Sequence, residues 1–401
     1  MYTIIMSFRI FHTADWHLGK TFHDLSLVED QRNFLDQIKN HLLQNVYDAL
    51  VVSGDIFDRE NPPREAFNMF GDFLHEVSEK CPDLEMFFIK GNHDSTNFGY
   101  PRSLIRDKKI YISVDETNLL EPVILEKGEE KLAVYQFPFM RELCDGERFY
   151  NVQQDIVSCA VNKIKRFHSE NYSGIPILFS THVTAFGHSE SEYDSNSVGF
   201  VEGVDPGLFS DFTYTALGHI HKTQKCSSKF NVYYSGAPLL YYFDSNTETS
   251  FLDVTIEGTD VSVEKIPVKP LHRVIRINDF TNDYLQENVT ELLKEKYKGC
   301  YLEFVYKDSV LKENSRASIK KNFKVLSFKP EKTIEDQMME TSLKERAKIV
   351  RKTRVTPEEL FDAFFDELHK DKGLHDTEIF GEARNIFSRI WNESLDSHVE
   401  E

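Results

Sequence analysis

Five short stretches of this chain place metal-binding side chains directly after apolar runs. "FRIFHTAD" from Phe8 leads into Asp15-Trp16-His17, and "ALVVSGD" from Ala49 ends in Gly54-Asp55, with Asp58 three residues on. "EMFFIKGNHD" from Glu85 delivers Gly91-Asn92-His93-Asp94. "IPILFSTH" from Ile175 ends in His182, and "YTALGHIH" from Tyr214 ends in Gly218-His219-Ile220-His221. Polar side chains at the end of a buried strand are costly unless something binds them. Taken singly, each tail has an ordinary explanation: a histidine after a strand is most often a satisfied core or turn residue, and Asp after Gly a turn. Five such tails together point instead to one site at the carboxyl ends of strands, where open α/β sheets place their ligands.

Carboxylate, imidazole and carboxamide oxygen without thiolate suit manganese, iron or zinc, and weaken the case for calcium or magnesium alone. Asp15 and His17, two apart on an extended segment, can both reach one ion. Asp55 is suited to bridge two ions, one through each oxygen. His219 and His221 have the same two-residue spacing and can serve one ion together or one each. Gly91 suits a tight bend, and Asp94 reads as a cap on the segment that follows.

The elements that must position these groups alternate. Further strand patterns are "KLAVYQF" from Lys131 and "NVYYSG" from Asn231, and helical patterns run through "LVEDQRNFLDQIKNHLL" from Leu27 and "PREAFNMFGDFLHEVSEK" from Pro63. Short apolar strands alternating with amphipathic helices define a layered α/β fold with buried sheets. The pattern changes near Pro267–Pro270. "LHRVIRINDF", "CYLEFVYK" and "FKVLSFK" read as strands, with the helix "YLQENVTELLKEKY" among them, forming a small α+β unit. The last segment is helical. Thr356 and Glu359 form a capping box around Pro357, followed by apolar Leu360, Phe361, Phe364, Phe365 and Leu368 on one face. A second helix carries Ile379, Phe380, Ile386, Phe387, Ile390 and Trp391. Two helices of that size need a further surface, from this chain or another, to cover their aromatic faces.

The chain has 401 residues, 40% of them apolar, with no run long enough to span a bilayer and no signal-peptide pattern at its start. Its five scattered cysteines fit a reducing cytoplasm and no zinc ribbon. The net charge of −19 argues against a nucleic-acid partner on its own. Carboxylates that hold cations count toward that total, however, and basic residues cluster at Lys312, Arg316, Lys320, Lys321, Lys324, Lys329 and Lys332, and again at Lys344, Arg346, Lys348, Arg351, Lys352 and Arg354. A solvated helix face is the simpler account of either cluster. The aromatics Tyr233, Tyr234, Tyr241, Tyr242 and Phe243 alternate as core residues do, and His188 reads as a surface-loop histidine.

D-x-H, G-D-x-x-D, G-N-H-D, a lone His after a strand and G-H-x-H, in this order, resemble the calcineurin-like metallophosphoesterases. The wider matches "HTADWHLGK", "GDIFDRENPP", "GNHDS", "THVTAFGHSESE", "ALGHIHKTQ" and "YYSGAPLLYYFDS", roughly Phe8 to beyond Val254, resemble the SbcD nuclease subunits within it. The resemblance implies a two-sheet sandwich flanked by helices (6–268), an α+β capping domain that positions DNA (269–333) and a helical segment that binds an SbcC-like ATPase (334–401). It also implies two manganese ions. Asp15, His17, Asp55 and His221 would hold the first, and Asp55, Asn92, His182 and His219 the second. His93 would stabilise the transition state or give a proton to the leaving oxygen, with Asp58 orienting it. The implied activity is double-strand 3′→5′ exonuclease and single-strand or hairpin endonuclease, in a cytoplasmic homodimer joined through the nuclease domain. Two alternatives remain: a phosphomonoesterase or small-molecule phosphodiesterase on the same site, and a non-catalytic binding subunit. Protein phosphatases of this fold carry Glu after Gly-Asn-His and Gly after Asp-Arg, where this chain has Asp94 and Glu60.

Overall fold

The apolar strands are hydrophobic on both faces because both faces are covered. In the computed structural model, which describes residues 7–23, 25–99, 106–146, 148–187, 203–243, 248–280, 287–306 and 313–330, β1 (Phe8–Thr13), β4 (Ala49–Val52), β5 (Glu85–Ile89) and β6 (Ile110–Ser113) run parallel. The hairpin of β15 (Ser250–Glu257) and β16 (Asp260–Pro267) pairs antiparallel with the free edge of β1, giving the order β16-β15-β1-β4-β5-β6. A second six-stranded sheet has the order β13-β14-β12-β11-β8-β7. Its strands are β7 (Val123–Lys127), β8 (Glu130–Phe137), β11 (Ile177–His182), β12 (Tyr214–Gly218), β13 (Gln224–Lys225) and β14 (Val232–Tyr234). Two short ribbons, β2–β3 (Thr21–Phe22, Leu25–Ser26) and β9–β10 (Leu143–Asp145, Arg148–Tyr150), decorate the connections.

Alternate residues of each strand enter different cores. Phe11, Leu50, Val52, Met86 and Phe88 face helices α1 (Val28–Gln44) and α2 (Arg64–Lys80), meeting Phe34, Ile38, Phe70, Phe73 and Val77. Ile10, Val51 and Phe87 point the other way and pack between the sheets against Leu132, Val134 and Leu178. On the far side of the second sheet, Ala133, Tyr135 and Phe179 meet Ile156, Ala160 and Ile164 of α3 (Gln153–Asn171). The result is a helix–sheet–sheet–helix sandwich, the layered α/β architecture expected from the sequence. The β7–β8 and β15–β16 hairpins add antiparallel edges that the alternating pattern did not reveal. No helix among the described residues is long and apolar enough to cross a membrane.

One polar strut crosses the inter-sheet layer. Buried His12 bonds the Tyr214 hydroxyl through Nδ1 (2.9 Å) and the Ser53 hydroxyl through Nε2 (3.2 Å), and Ser53 Oγ lies 3.0 Å from Ser180 Oγ.

The described residues belong to one compact unit, Met1–Pro330. After Pro267 the chain builds a parallel three-stranded sheet of β17 (Val274–Phe280), β18 (Tyr301–Tyr306) and β19 (Val325–Pro330), with α4 (Glu287–Lys296) and α5 (Glu313–Asn322) as its crossovers. It has its own small core around Ile277, Leu302, Phe304 and Ile319. It is fastened to α1: buried Asp30 takes hydrogen bonds from the His272 backbone N–H and the Tyr301 hydroxyl (3.1 Å each), and Gln37 exchanges a reciprocal pair with the Lys269 main chain (2.8 and 2.9 Å). The C-terminal helices expected at 334–401, and His188, lie outside the described residues.

Burial pushes His12 down to about 3 from an unperturbed 6.5. The unfolded chain therefore takes up a proton here that the fold refuses, and stability drains away as pH falls from 6.5 toward 3, by up to about 1.4 kcal/mol per pH unit. In His12→Gln, unfolding free energy from urea titrations should fall less steeply between pH 6 and 4, by about one proton's worth of slope.

Candidate metal centre

The five sequence tails converge from both sheets. Asp15 and His17 follow β1, Asp55 follows β4, and Asn92 and His93 follow β5, all from the first sheet. His182 ends β11, and His219 and His221 follow β12 of the second. The loops are laced together by main-chain bonds: Asp15 N donates to Gly54 O (3.0 Å), His17 N to Asp55 O (3.0 Å) and Leu18 N to Ile56 O (2.9 Å). Trp16 anchors the first loop. Its indole is fully buried among Phe34, Phe70, Phe73 and Phe88, with Nε1–H on Thr13 Oγ1 at 3.0 Å. Packing of that kind is worth about 3–5 kcal/mol.

Much of that packing energy holds unfavourable backbone. Asp15 (φ 54°), His17 (φ 44°), Asp55 (φ 51°) and His219 (φ 97°) all sit in the left-handed region, at a cost of order 1–3 kcal/mol each. Four of the seven expected ligands are thus held in strained conformations. Gly91 has a different reason to be glycine than the bend inferred from sequence. Its φ is not in that region; a Cβ there would collide with Asp55 Oδ1 and the Asp55 backbone N.

The donor atoms face one another. His17 Nε2 and His221 Nε2 are 3.1 Å apart. Asn92 Oδ1 lies 3.0 Å from His182 Nε2 and 2.9 Å from His219 Nδ1. Asp55 Oδ2 stands between the two groups, 3.7 Å from His17 Nε2 and 3.4 Å from His182 Nε2, while its Oδ1 accepts from His93 N at 2.9 Å. The ligand-capable atoms of Asp15, His17 and His221 lie within 4.8 Å of one another, as do those of Asp15, Asp55 and His182. His182 Nδ1 is 2.8 Å from Ser53 O, so its N–H is used there and Nε2 is the nitrogen turned to the site. Asp15 accepts the His219 backbone N–H at 3.0 Å. Carboxylate, carboxamide and imidazole atoms crowded this closely in a buried place could share divalent cations, and the donor set is the one that metals of intermediate hardness prefer.

The electrostatics agree. Burial lowers His17 well below its usual range and His221 to about 3, so both imidazoles are neutral donors. Burial opposes charge on Asp55 too, but His182 beside it holds its carboxyl well below the usual range. The same partnership overcomes burial at His182 and lifts it to about 9, so a proton competes with a cation for its Nε2 lone pair beside Asp55.

His93 does not meet the Asp58 carboxylate. Its Nδ1 lies 2.9 Å from the Asp58 backbone carbonyl, and the carboxylate turns to Lys20 Nζ (Oδ1 at 2.5 Å) and toward His17 Nδ1 (3.7 Å). The hydrogen bond between the two residues runs through the Asp58 main chain, with the carboxylate still within 4.8 Å of the imidazole nitrogens of His17 and His93. Asp94, read from sequence as a local cap, is a cross-loop staple. It is buried, and its oxygens accept from Gly91 N (2.9 Å), Ile56 N (3.1 Å) and Phe57 N (2.8 Å). Burial, with the Asp55 charge next, pushes it up to about 6 against those three bonds.

Sequence reasoning also missed Gln31, whose buried amide donates to His17 O (2.8 Å) and accepts from Gly19 N (3.0 Å), and Lys20 itself. Tyr241 belongs to the aromatic run assigned to the core. It is buried, yet its hydroxyl donates to Trp16 O (2.7 Å) and its ring meets His17 and His221 edge-on. Tyr234, Tyr242 and Phe243 are core residues, as expected.

A layered sandwich with this site at the strand ends of its two sheets is the signature of one class. The calcineurin-like phosphoesterase family profile matches residues 8–223, a span that includes every residue discussed above as a ligand, and the chain belongs to that family: it is a metallophosphoesterase. It is also similar to two proteins named as the SbcD component of the nuclease SbcCD. To the one from Staphylococcus saprophyticus it is 29% identical over 308 residues, covering 75% of this chain and 78% of the relative. To the one from Staphylococcus epidermidis it is 28% identical over 301 residues, covering 74% and 78%.

Removing the Asp94 carboxylate leaves three buried N–H groups without their acceptor. Asp94→Ala should destabilise the fold by about 3 kcal/mol and weaken divalent-metal binding about 10–100-fold, read by urea unfolding and by titration calorimetry.

Proposed function

We propose that this chain is a manganese-dependent DNA nuclease subunit. The observation that supports it is the meeting of Asp15, His17, Asp55, Asn92, His182, His219 and His221 where the strand ends of the two sheets converge, with His93 beside them. Asp15, His17, Asp55 and His221 would hold one divalent ion, and Asp55, Asn92, His182 and His219 the other. Such a pair supplies Lewis-acid charge to a phosphodiester and makes water a competent nucleophile at neutral pH. Asp55, facing both donor groups through Oδ2, fixes their spacing. His93, with Nδ1 held by the Asp58 carbonyl, presents Nε2 as the atom that gives a proton to the leaving oxygen.

The similarity to the two SbcD proteins favours DNA over a small phosphate ester. It also favours double-strand 3′→5′ exonuclease with hairpin and single-strand endonuclease activity, in double-strand break and hairpin processing. In this reading the chain works in the cytoplasm as a homodimer joined through its nuclease domain. Residues 269–333 position DNA, and residues 334–401 bind an SbcC-like ATPase.

The purified full-length chain with manganese should degrade linear duplex and nick hairpin DNA, and excess chelator should abolish both. His93→Ala should lower kcat by about 10²–10⁴-fold while titration calorimetry returns an unchanged manganese stoichiometry. Hydrolysis confined to an aryl monophosphate would replace the nuclease reading with a phosphomonoesterase. No hydrolysis of any of the three would leave a binding subunit.

A further inference from the structure

Lys20 is a cation set beside a site built to hold cations. It sits on the turn that closes the first ligand loop, its backbone N–H bonded to His17 O at 3.0 Å. Its side chain is mostly buried, with Nζ 2.5 Å from Asp58 Oδ1 and 5.4 Å from the centre of the Tyr241 ring. That placement is unfavourable for metal binding alone, because a fixed ammonium repels incoming divalent ions and its charge is felt at His17 and His221. The arrangement makes sense if the ammonium serves an anion. Asp58 both neutralises Lys20 and, through its carbonyl, holds His93, so the lysine and the histidine flank one residue.

Position decides which anion. Asp58 Oδ1 approaches His17 from the Nδ1 side (3.7 Å), whereas His17 Nε2 faces His221. The ammonium is thus held by a carboxylate on the Nδ1 side of the His17 ring, away from the Nε2 that faces the other candidate ligands. Resting on the nuclease reading above, we propose that Lys20 binds the phosphate next to the scissile one on the cut strand. It shares its protons between that phosphate and Asp58, and so selects polynucleotides over isolated phosphodiesters.

The test compares a short linear duplex with bis(para-nitrophenyl) phosphate, which has no neighbouring phosphate, using the full-length chain and manganese. In Lys20→Met, the ratio of kcat/KM for the duplex to that for the aryl diester should fall about tenfold, mainly through KM. The slope of log kcat/KM for the duplex against log salt should become shallower by about 0.9, the value for one lost phosphate contact. Lys20→Arg should recover most of the ratio, and Lys20→Gln stands in if the methionine variant does not fold. An equal fall on both substrates would mean that Lys20 acts on the metal site through Asp58, and would overturn the proposal, as would an unchanged ratio. If the unmodified chain hydrolyses the aryl diester but no duplex, the nuclease reading fails and this inference with it; if it cuts duplex and the ratio stays put, only the inference fails.

Discussion

The structure is organised around the burial of one carboxylate. Asp55 is almost wholly shielded from water and stands between His17 and His182. A charge in that position is tolerated only when opposite charge and hydrogen bonds surround it. The fold provides them by drawing loops from two sheets onto it, and the crowding dictates several neighbouring residues. A side chain at Gly91 would strike Asp55, and one at Gly54 or Gly218 would strike His182 Nδ1. Crowding around the Asp55–His182 pair thus bears on the glycines before Asp55, Asn92 and His219, together with the positive φ of Gly54 (91°) and the Ser53 carbonyl that lies closest to Gly218. The left-handed backbone at Asp15, His17, Asp55 and His219 belongs to the same account. Strain in those loops is balanced by Trp16 below and by the main-chain lacing between them.

The candidate ligands stood out because acids, amide and imidazoles at the ends of apolar strands violate the ordinary rule for buried segments. The strands were legible for the complementary reason: they are buried at almost every position and largely apolar, since one set of side chains faces helices and the other faces the second sheet. Which strand belonged to which sheet was not legible, because local pattern carries no strand order. The β16 edge was missed because Glu264 and Lys265 expose it to solvent and its alternation is weak.

Residues that act on distant partners were harder to find. Asp94 sits in a tetrapeptide that also makes an ordinary turn, and nothing nearby in sequence indicates that it holds Ile56 and Phe57. Gln31 lies on a helix face where polar residues are commonplace. Asp58 was recognised, but not the atom it uses: sequence names a carboxylate, and the His93 contact is to its carbonyl. Lys20, three residues past His17, carries no local sign that it competes for the Asp58 side chain.

Helix α1 touches both the three-stranded sheet and the first ligand loop. Asp30 grips His272 and Tyr301, while the very next residue, Gln31, grips the main chain of His17. Two adjacent residues of one helical turn thus tie down both the three-stranded sheet and the peptide plane of a metal-ligand candidate, so a substitution that disturbs this turn reaches both.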